Sequence, residues 1–506
     1  MYGEDRSDRA TTKSDAFHGA STNPAMFSTL HHLFLLRYLI LPKVNEDKKN
    51  TLSKNQPSSA EEGWFFMAKG KPGSAGELGL YQRTIEVLPM ARVWYRLTGL
   101  ILAVLLGSFS TAGAAAPKVE IFSWWTGRGE QEGLATLIKV FQRNYPGIEL
   151  VNATVAGGGG INAKAVLQTR MVGGTPPDSF QVHGGAELIE SYVKTGMMEP
   201  ITGWLDQWGI RDRFNSQLLE MCSYKGEVYS IPLNVHRGNV LWYNKALLKK
   251  YRIQPPDSLD SLLKACQTLQ SHGITPLAMG DRDQWEATQI FETILAITLG
   301  PAKYNGLWNG RTSFKDPGIA VALEKFKQLM KYVNKNHASL IWQDATKMVY
   351  EGKAVFNVMG DWAEGYFKTL GWRPGIEFGW APLCGAGGNF MVITDTFGLP
   401  KGAPHRDAAL AWLKTVASVQ GQDAFNPVKG SIPSRLDARQ KHYDPYLRAS
   451  MADFAKLTLT PSIAHGSAAS TGFSGALDEL LNIYLSDGDT RNALRNLQSA
   501  ARDYLE

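Results

Sequence analysis

From residue 118 onward the chain alternates between two hydrophobic periods. Val119-Glu120-Ile121-Phe122 alternates with a period of two, as a strand does. Glu130 to Asn144 then carries Leu134, Leu137, Ile138, Val140 and Phe141 at helical spacing. The exchange repeats as a strand at 148–155, a helix at 162–172, a strand at 179–183 and a helix at 186–195. Strand-like runs follow at 229–235 and 239–243, helices at 259–272, 285–299, 319–333 and 342–351, and strands at 354–359 and 390–399. From 407 onward the pattern is largely helical. Strands alternating with helices predict α/β domains, and a chain of this size predicts two of them.

Two tryptophans, Trp124 and Trp125, end the first strand. Successive residues of a strand point to opposite sides, so both rings are not expected in one core. The carboxyl end of a strand before a helix is where open α/β sheets bind ligands. Other polar or aromatic residues stand in loops or at the ends of predicted elements: Gln181 and His183, Trp342, Asp395, Lys429 and His465, with His183, Lys429 and His465 each directly before a glycine. Indole faces suit the CH face of a pyranose, and a few fixed polar groups suit its hydroxyls. Each residue alone has an ordinary explanation. Asp395 could bond a backbone turn, Lys429 could sit in solvent, and His465 could be a loop residue. The glycine run 157–160 could cradle phosphate, but no Gly-Lys-Ser/Thr follows it, and it reads as a flexible turn.

Composition narrows the choices. The 506 residues are 44% hydrophobic and 20% charged, with a net charge of +6 and no Lys/Arg block. Nucleic acid is not implied. Cys222, Cys266 and Cys384 are too few and too scattered for a disulfide framework. Neither Cys-x-x-Cys nor His-Glu-x-x-His occurs, so no metal or other cofactor is implied. No Gly-x-Ser-x-Gly elbow is present. A glycosidase needs two carboxyls flanking its bond. Glu130, Asp361 and Asp395 could be cast in that role, and a secreted carbohydrate-active enzyme stands as the alternative to a binding protein.

The N-terminal region has its own pattern. Residues 90–96 are short and basic, 97–109 mostly apolar, and 111–116 small, the three parts of a secretory signal peptide. The expectation is that Met90 is the true start, that 1–89 is an over-extended reading of the gene, and that 90–116 is removed to give a chain beginning near Pro117. A cytoplasmic extension followed by an uncleaved membrane helix is the alternative, although 97–116 is barely long enough to span. No cysteine precedes Cys222, so a soluble periplasmic protein is expected rather than a lipoprotein.

Seven segments then carry a family resemblance in order along the chain. They are Ser-Trp-Trp at 123–125, Pro-Pro-Asp-Ser-Phe-Gln-Val-His at 176–183, Asn-Val-His-Arg-Gly-Asn-Val-Leu-Trp-Tyr at 234–243 and Leu-Trp-Asn-Gly at 307–310. Phe-Asn-Val-Met-Gly-Asp-Trp at 356–362, Thr-Asp-Thr-Phe-Gly-Leu-Pro-Lys-Gly at 394–402 and Asn-Pro-Val-Lys-Gly-Ser-Ile-Pro at 426–433 complete the set. From about Lys118 to the end, the chain resembles the extracellular solute-binding proteins of sugar ABC importers, with the glucose/mannose-binding branch nearest. The resemblance implies a two-lobed periplasmic-binding-protein fold, each lobe a sheet flanked by helices. The expected N-terminal lobe is 117–231 plus 358–396, and the expected C-terminal lobe is 232–357 plus 397–506. Crossings are expected near 231–235, 356–359 and 396–399. The resemblance implies a sugar held by Trp124, Trp125, Glu130, Gln181 and His183 from one lobe and by Trp342, Asp395, Lys429 and His465 from the other, with the lobe of Asp395 open because it adjoins a crossing. Glu132 is the alternative to Glu130, because the loop after the tryptophans is one residue longer than the family pattern. It further implies a non-enzymatic monomer that delivers glucose, mannose or another hexose to permease subunits, with a disaccharide as the alternative ligand and a chemoreceptor as a further partner.

Overall fold

The computed structural model describes residues 117–505, apart from 158–159 and 384–387. The expectations for 1–116 and for Cys384 lie outside the described residues. Val119 and Ile121 are fully buried, as their alternation requires, and their strand Lys118–Ser123 belongs to a five-stranded sheet. The order across that sheet is Glu149–Thr154, Lys118–Ser123, Ser179–His183, Asp395–Gly398 and Ser230–Pro232. The first three run parallel, and Asp395–Gly398 is antiparallel to both of its neighbours. Helix Glu130–Asn144 covers this sheet with Leu134, Leu137 and Phe141. Its first turn is fixed by Glu132, whose carboxylate accepts the Gly129 N–H at 2.5 Å.

The second lobe contains two four-stranded sheets. One orders Phe378–Pro382, Val240–Asn244, Ala354–Val358 and Thr275–Ala278. The other orders Ile432–Pro433, Asn234–Arg237, Asn389–Ile393 and Thr458–Pro461. Helix Trp285–Leu299 is buried on most sides, which explains why its sequence is apolar nearly all round. The expected helix at 186–195 is instead a short turn, Ala186–Leu188, followed by a π-helical turn, Ile189–Val193, and both Tyr192 and Val193 are buried there. No helix among the described residues is long and apolar enough to cross a membrane.

The passages between lobes differ from expectation in two places. The first passage is at Leu233, between strands Ser230–Pro232 and Asn234–Arg237, as expected. The segment 356–359 is not a passage, because Ala354–Val358 and the later strand Phe378–Pro382 both flank Val240–Asn244 in one sheet. The second passage is at Thr394, where the expected strand 390–399 splits into Asn389–Ile393 in the second lobe and Asp395–Gly398 in the first. The third is at Gly430 and Ser431, between helix Val419–Lys429 and strand Ile432–Pro433. The lobe boundaries move accordingly. Helices Arg406–Val416 and Val419–Lys429 pack on the first sheet, where the Trp412 ring lies 5.3 Å from Phe397 and 5.8 Å from Phe141. The segments 358–393 stay with the second lobe through their strand pairing.

Gly185 marks where the lobes touch beyond the passages. Its φ of 109° and ψ of −146° suit glycine alone, and a Cβ there would lie 2.3 Å from the Ser467 carbonyl oxygen. Gly185→Ala is expected to lower stability by about 2–4 kcal/mol, from backbone strain and overpacking together. Urea unfolding of the purified variant checks this, and an unchanged midpoint would show that the contact yields freely.

Candidate ligand-binding site

The lobes enclose a cavity of about 270 Å³. The first lobe contributes the loop after strand Lys118–Ser123, with Trp124 and Trp125, the start of helix Glu130–Asn144 with Glu130, and the strand end at His183. Asp395 and Lys429 also come from first-lobe elements. The second lobe contributes Trp285, Trp342, Trp362 and His465, with Arg282, Asp283 and Gln343 among the other lining residues. Eight of the nine expected residues therefore meet in one cavity. The ninth, Gln181, lies behind the wall. Its carbonyl accepts the Trp124 N–H at 3.2 Å and its amide donates to Asp395 Oδ1 at 2.7 Å, so both ends are committed to protein.

The expected division between lobes is corrected for Lys429. Helix Val419–Lys429 packs against helix Glu130–Asn144, and Lys429 Nζ lies 3.1 Å from Glu130 Oε1. This also separates the two glutamates, since Glu132 turns back to cap its own helix. The two tryptophans of the first loop divide their work. Trp125 is 1% exposed and packs 4.9 Å from Phe425 and 5.9 Å from Phe397, so it is mainly core with one edge on the cavity. Trp124 is more open and lies 5.0 Å from the His183 ring, with the Lys164 ammonium 5.5 Å from its centroid.

The charged groups in and behind the wall are matched to one another. Asp395 receives Gln181 on one oxygen and the Asn234 amide on the other at 2.8 Å. Burial alone would raise its carboxyl. The hydrogen bond from His236 and the charges of His183, His236 and Lys429 hold it well below the usual carboxylate range. Glu187 behaves alike. Burial pushes it up, yet Lys164 and His183 draw it down to about 2. His183 Nδ1 is 3.0 Å from that carboxylate, which fixes the ring. Burial, with the charges of His183 and Lys164, holds His465 well below the ordinary histidine range, so it is neutral. Its Nδ1 meets Ser462 Oγ at 3.1 Å, which leaves Nε2 as the nitrogen available to a ligand.

On the second-lobe side an aromatic wall forms around Trp362. Its ring lies 6.0 Å from Trp285, 6.5 Å from Trp342 and 5.0 Å from His465. The Nε1 groups of Trp285 and Trp362 are buried without a protein partner, and buried donors of that kind are rare unless something else accepts from them.

A family model for bacterial extracellular solute-binding proteins matches residues 122–423. The chain belongs to this family. It is 39% identical over 390 residues to an uncharacterised ABC transporter extracellular-binding protein of Pyrococcus horikoshii, covering 76% of this chain and 87% of that one. It is 30% identical to a probable sugar-binding periplasmic protein of Mesorhizobium japonicum, covering 75% and 91%. Among solved structures, the bacterial solute receptor AcbH, described as preferring β-D-galactopyranose, superposes with a TM-score of 0.68 at 19% identity, covering 77% of this chain and 98% of that one. That likeness establishes the two-lobed fold.

Sequence reasoning about this solute-binding protein missed Trp285, Trp362, His236 and the Arg282/Asp283 pair. Trp362 carried a local signal in Gly360, where a Cβ would lie 2.2 Å from the Trp362 ring. Trp285 read only as the first residue of an apolar helix. The Lys429–Glu130 pair generates a test, since the Lys429 side chain is only 2% exposed and Glu130 is 14% exposed. Glu130→Gln should cost about 2–3 kcal/mol by leaving a buried ammonium without its anion. Glu130→Gln combined with Lys429→Met should recover most of it. Chemical denaturation of the three variants reads the coupling, and additive losses would show that the pair contributes nothing as a pair.

Proposed function

We propose that this solute-binding protein takes one neutral hexose, glucose or mannose, between its lobes and presents it to the permease subunits of an ABC importer. The observation that carries this reading is a cavity whose charges are already matched and whose lining includes five indoles. Lys429 faces Glu130 at 3.1 Å, Arg282 faces Asp283 at 3.4 Å, and Asp395 is surrounded by its own donors. A charged ligand would leave one of these pairs unbalanced, whereas hydroxyls can share them without changing net charge. At about 270 Å³ the space falls just below the usual range of about 300–1,000 Å³ for larger ligands, which suits a single ring. The relatives described as ABC transporter binding proteins and as sugar-binding support the same class.

The mechanism is closure without chemistry. Trp124 and Glu130 stand on one lobe, and Trp342, Trp362 and His465 on the other. A sugar touching both sets favours the closed form by its greater affinity for it. The closed form is what the permease would recognise. Of the acids that could serve a glycosidase, Asp395 is unsuited to be the general acid, which needs a raised carboxyl, because its neighbours hold it low. A disaccharide is the second reading. An adjoining cavity of about 570 Å³ shares His183, Trp285 and His465 with the first, and a second ring could extend there. Export through the 90–116 signal, action as a monomer in the periplasm and hand-over to a chemoreceptor belong to the same proposal.

D-Glucose or D-mannose should quench the tryptophan fluorescence and raise the melting temperature, and a thermal-shift series across mono- and disaccharides distinguishes the two ligand sizes. Asp395→Ala and Trp342→Ala should each weaken binding by roughly tenfold or more in calorimetry, the scale of one lost charged hydrogen bond or one lost ring face. Hydrolysis of glucosides by the purified protein would overturn the reading in favour of an enzyme. N-terminal sequencing of the exported protein should place its start near Pro117, and a start before Met90 would contradict the assignment of the signal.

A further inference from the structure

His236 lines the cavity yet is only 1% exposed, and its two ring nitrogens face two different carboxylates. Nδ1 pairs closely with Asp361 Oδ1. Nε2 lies 3.5 Å from Asp395 Oδ2. Asp361 is itself fixed, because its other oxygen accepts the Arg237 backbone N–H at 3.1 Å and the Tyr446 hydroxyl at 3.2 Å. The Trp362 ring stands edge-on to the imidazole at 5.3 Å. His236 belongs to a second-lobe strand and Asp395 to the first-lobe sheet, so this contact crosses between lobes at the passages. We propose that His236 is a positioning residue for ligand binding: clamped by Asp361, it holds the Asp395 carboxylate in the one orientation that serves the cavity.

The chemistry of the row supports this. A ring with a proton on each nitrogen donates to both carboxylates, whereas a ring that has lost the Nε2 proton accepts there from the Asn234 amide, 3.2 Å away, and gives up its tie to Asp395. Gln181 holds one oxygen of Asp395 and Asn234 the other, with His236 Nε2 3.5 Å from the second, so the carboxylate is oriented from both sides. The ionisable groups facing His236 are Asp361 with Tyr446 behind it, Asp395, Lys429 and His465. Burial and the Lys429 ammonium act to neutralise the ring, and the two carboxylates outweigh them, so its proton is held above the ordinary histidine range. The sign follows from that direction. The tie is complete below the ordinary histidine range and is lost as pH rises through the raised value.

This inference rests on the sugar-binding reading, and its test separates the two. Binding of D-glucose to wild type, H236Q and D361N is measured by calorimetry from pH 6 to pH 9, with each substitution also made in a D395N background. H236Q should weaken binding roughly tenfold, the scale of one charge-assisted hydrogen bond. It should also abolish the loss of affinity that wild type shows at alkaline pH. In D395N the same substitution should cost less than about twofold, because it acts through Asp395. Equal losses in both backgrounds would reduce His236 to a structural residue, and undiminished binding by H236Q would overturn the proposal. D361N carries the same comparison if H236Q does not fold. Nitrogen-15 shifts of the His236 ring test the clamp without ligand: both nitrogens should be protonated in wild type at pH 7.5 and only one in D395N. A singly protonated wild-type ring overturns the proposal even if no sugar binds, while a doubly protonated ring with no sugar response would count against the sugar reading alone.

Discussion

The buried carboxylate of Asp395 is the constraint around which the rest is arranged. An ionised carboxyl removed from water costs several kcal/mol unless donors replace its hydration. Here they come from both lobes: Gln181 from the first-lobe strand beside it, Asn234 and His236 from the strand that opens the second lobe. The backbone is tied at the same point. The Leu233 N–H donates to the Asp395 carbonyl at 2.9 Å, and the Asp395 N–H donates to Asn234 Oδ1 at 2.8 Å. Two of the three passages between lobes thus meet at one charged group that also lines the cavity. Hinge and ligand contact are not separate modules.

Around that group the wall combines matched charges with unmatched indoles. The charges settle one another in pairs and offer their remaining lone pairs and protons to a guest. The aromatic wall supplies apolar area, yet two of its N–H groups have no protein acceptor. A buried donor left unpaired costs roughly 1–3 kcal/mol, which an oxygen-rich guest would recover. The loop bearing His465 is held from behind by Glu292, which accepts from Ser462 Oγ at 2.7 Å and the Ala464 N–H at 3.0 Å. Burial raises that carboxyl to about 8 although those donors pull it down. The support beneath the ligand wall is therefore itself a strained balance of burial against hydrogen bonding.

Much of this was legible from residue pattern because local periods survive folding. The helix expected at 285–299 and the strand expected at 179–183 have those limits in the structure. What periodicity does not carry is which sheet a strand joins. The run 390–399 reads as one strand, and its polar Thr394-Asp395-Thr396 centre does not by itself say that one strand leaves the second lobe at Thr394 and another enters the first. Lys429 was expected on the other lobe because the resemblance assigned 397–506 there, whereas its helix packs against Glu130–Asn144 in the first. Eight of the expected site residues do line one cavity, because loops at strand ends converge there by topology. His236 and Trp362 were overlooked for the opposite reason. Each is almost wholly buried, His236 within a strand and Trp362 at the start of a helix, and each is core on one side and wall on the other.

That double character also bears on how such a fold can move. The three passages are one or two residues long, at Leu233, Thr394 and Gly430–Ser431. They are also bonded to one another, with Thr394 Oγ1 donating to the Asn234 carbonyl at 2.7 Å and the Asn426 amide donating to the Leu233 carbonyl at 3.2 Å. Rotation about so compact a bundle leaves every sheet intact, so neither lobe need unfold to open the cleft. The contacts that would change are those farther from the bundle, such as Gly185 against Ser467 and the Glu187 N–H on the Gly466 carbonyl. A ligand gains leverage over closure only through residues that approach one another as the lobes rotate. Asp395, close to the axis, moves little. It can therefore act as the fixed reference against which a guest is oriented, while under the proposed reading the tryptophans of the two walls would supply the difference in affinity between open and closed forms that closure requires.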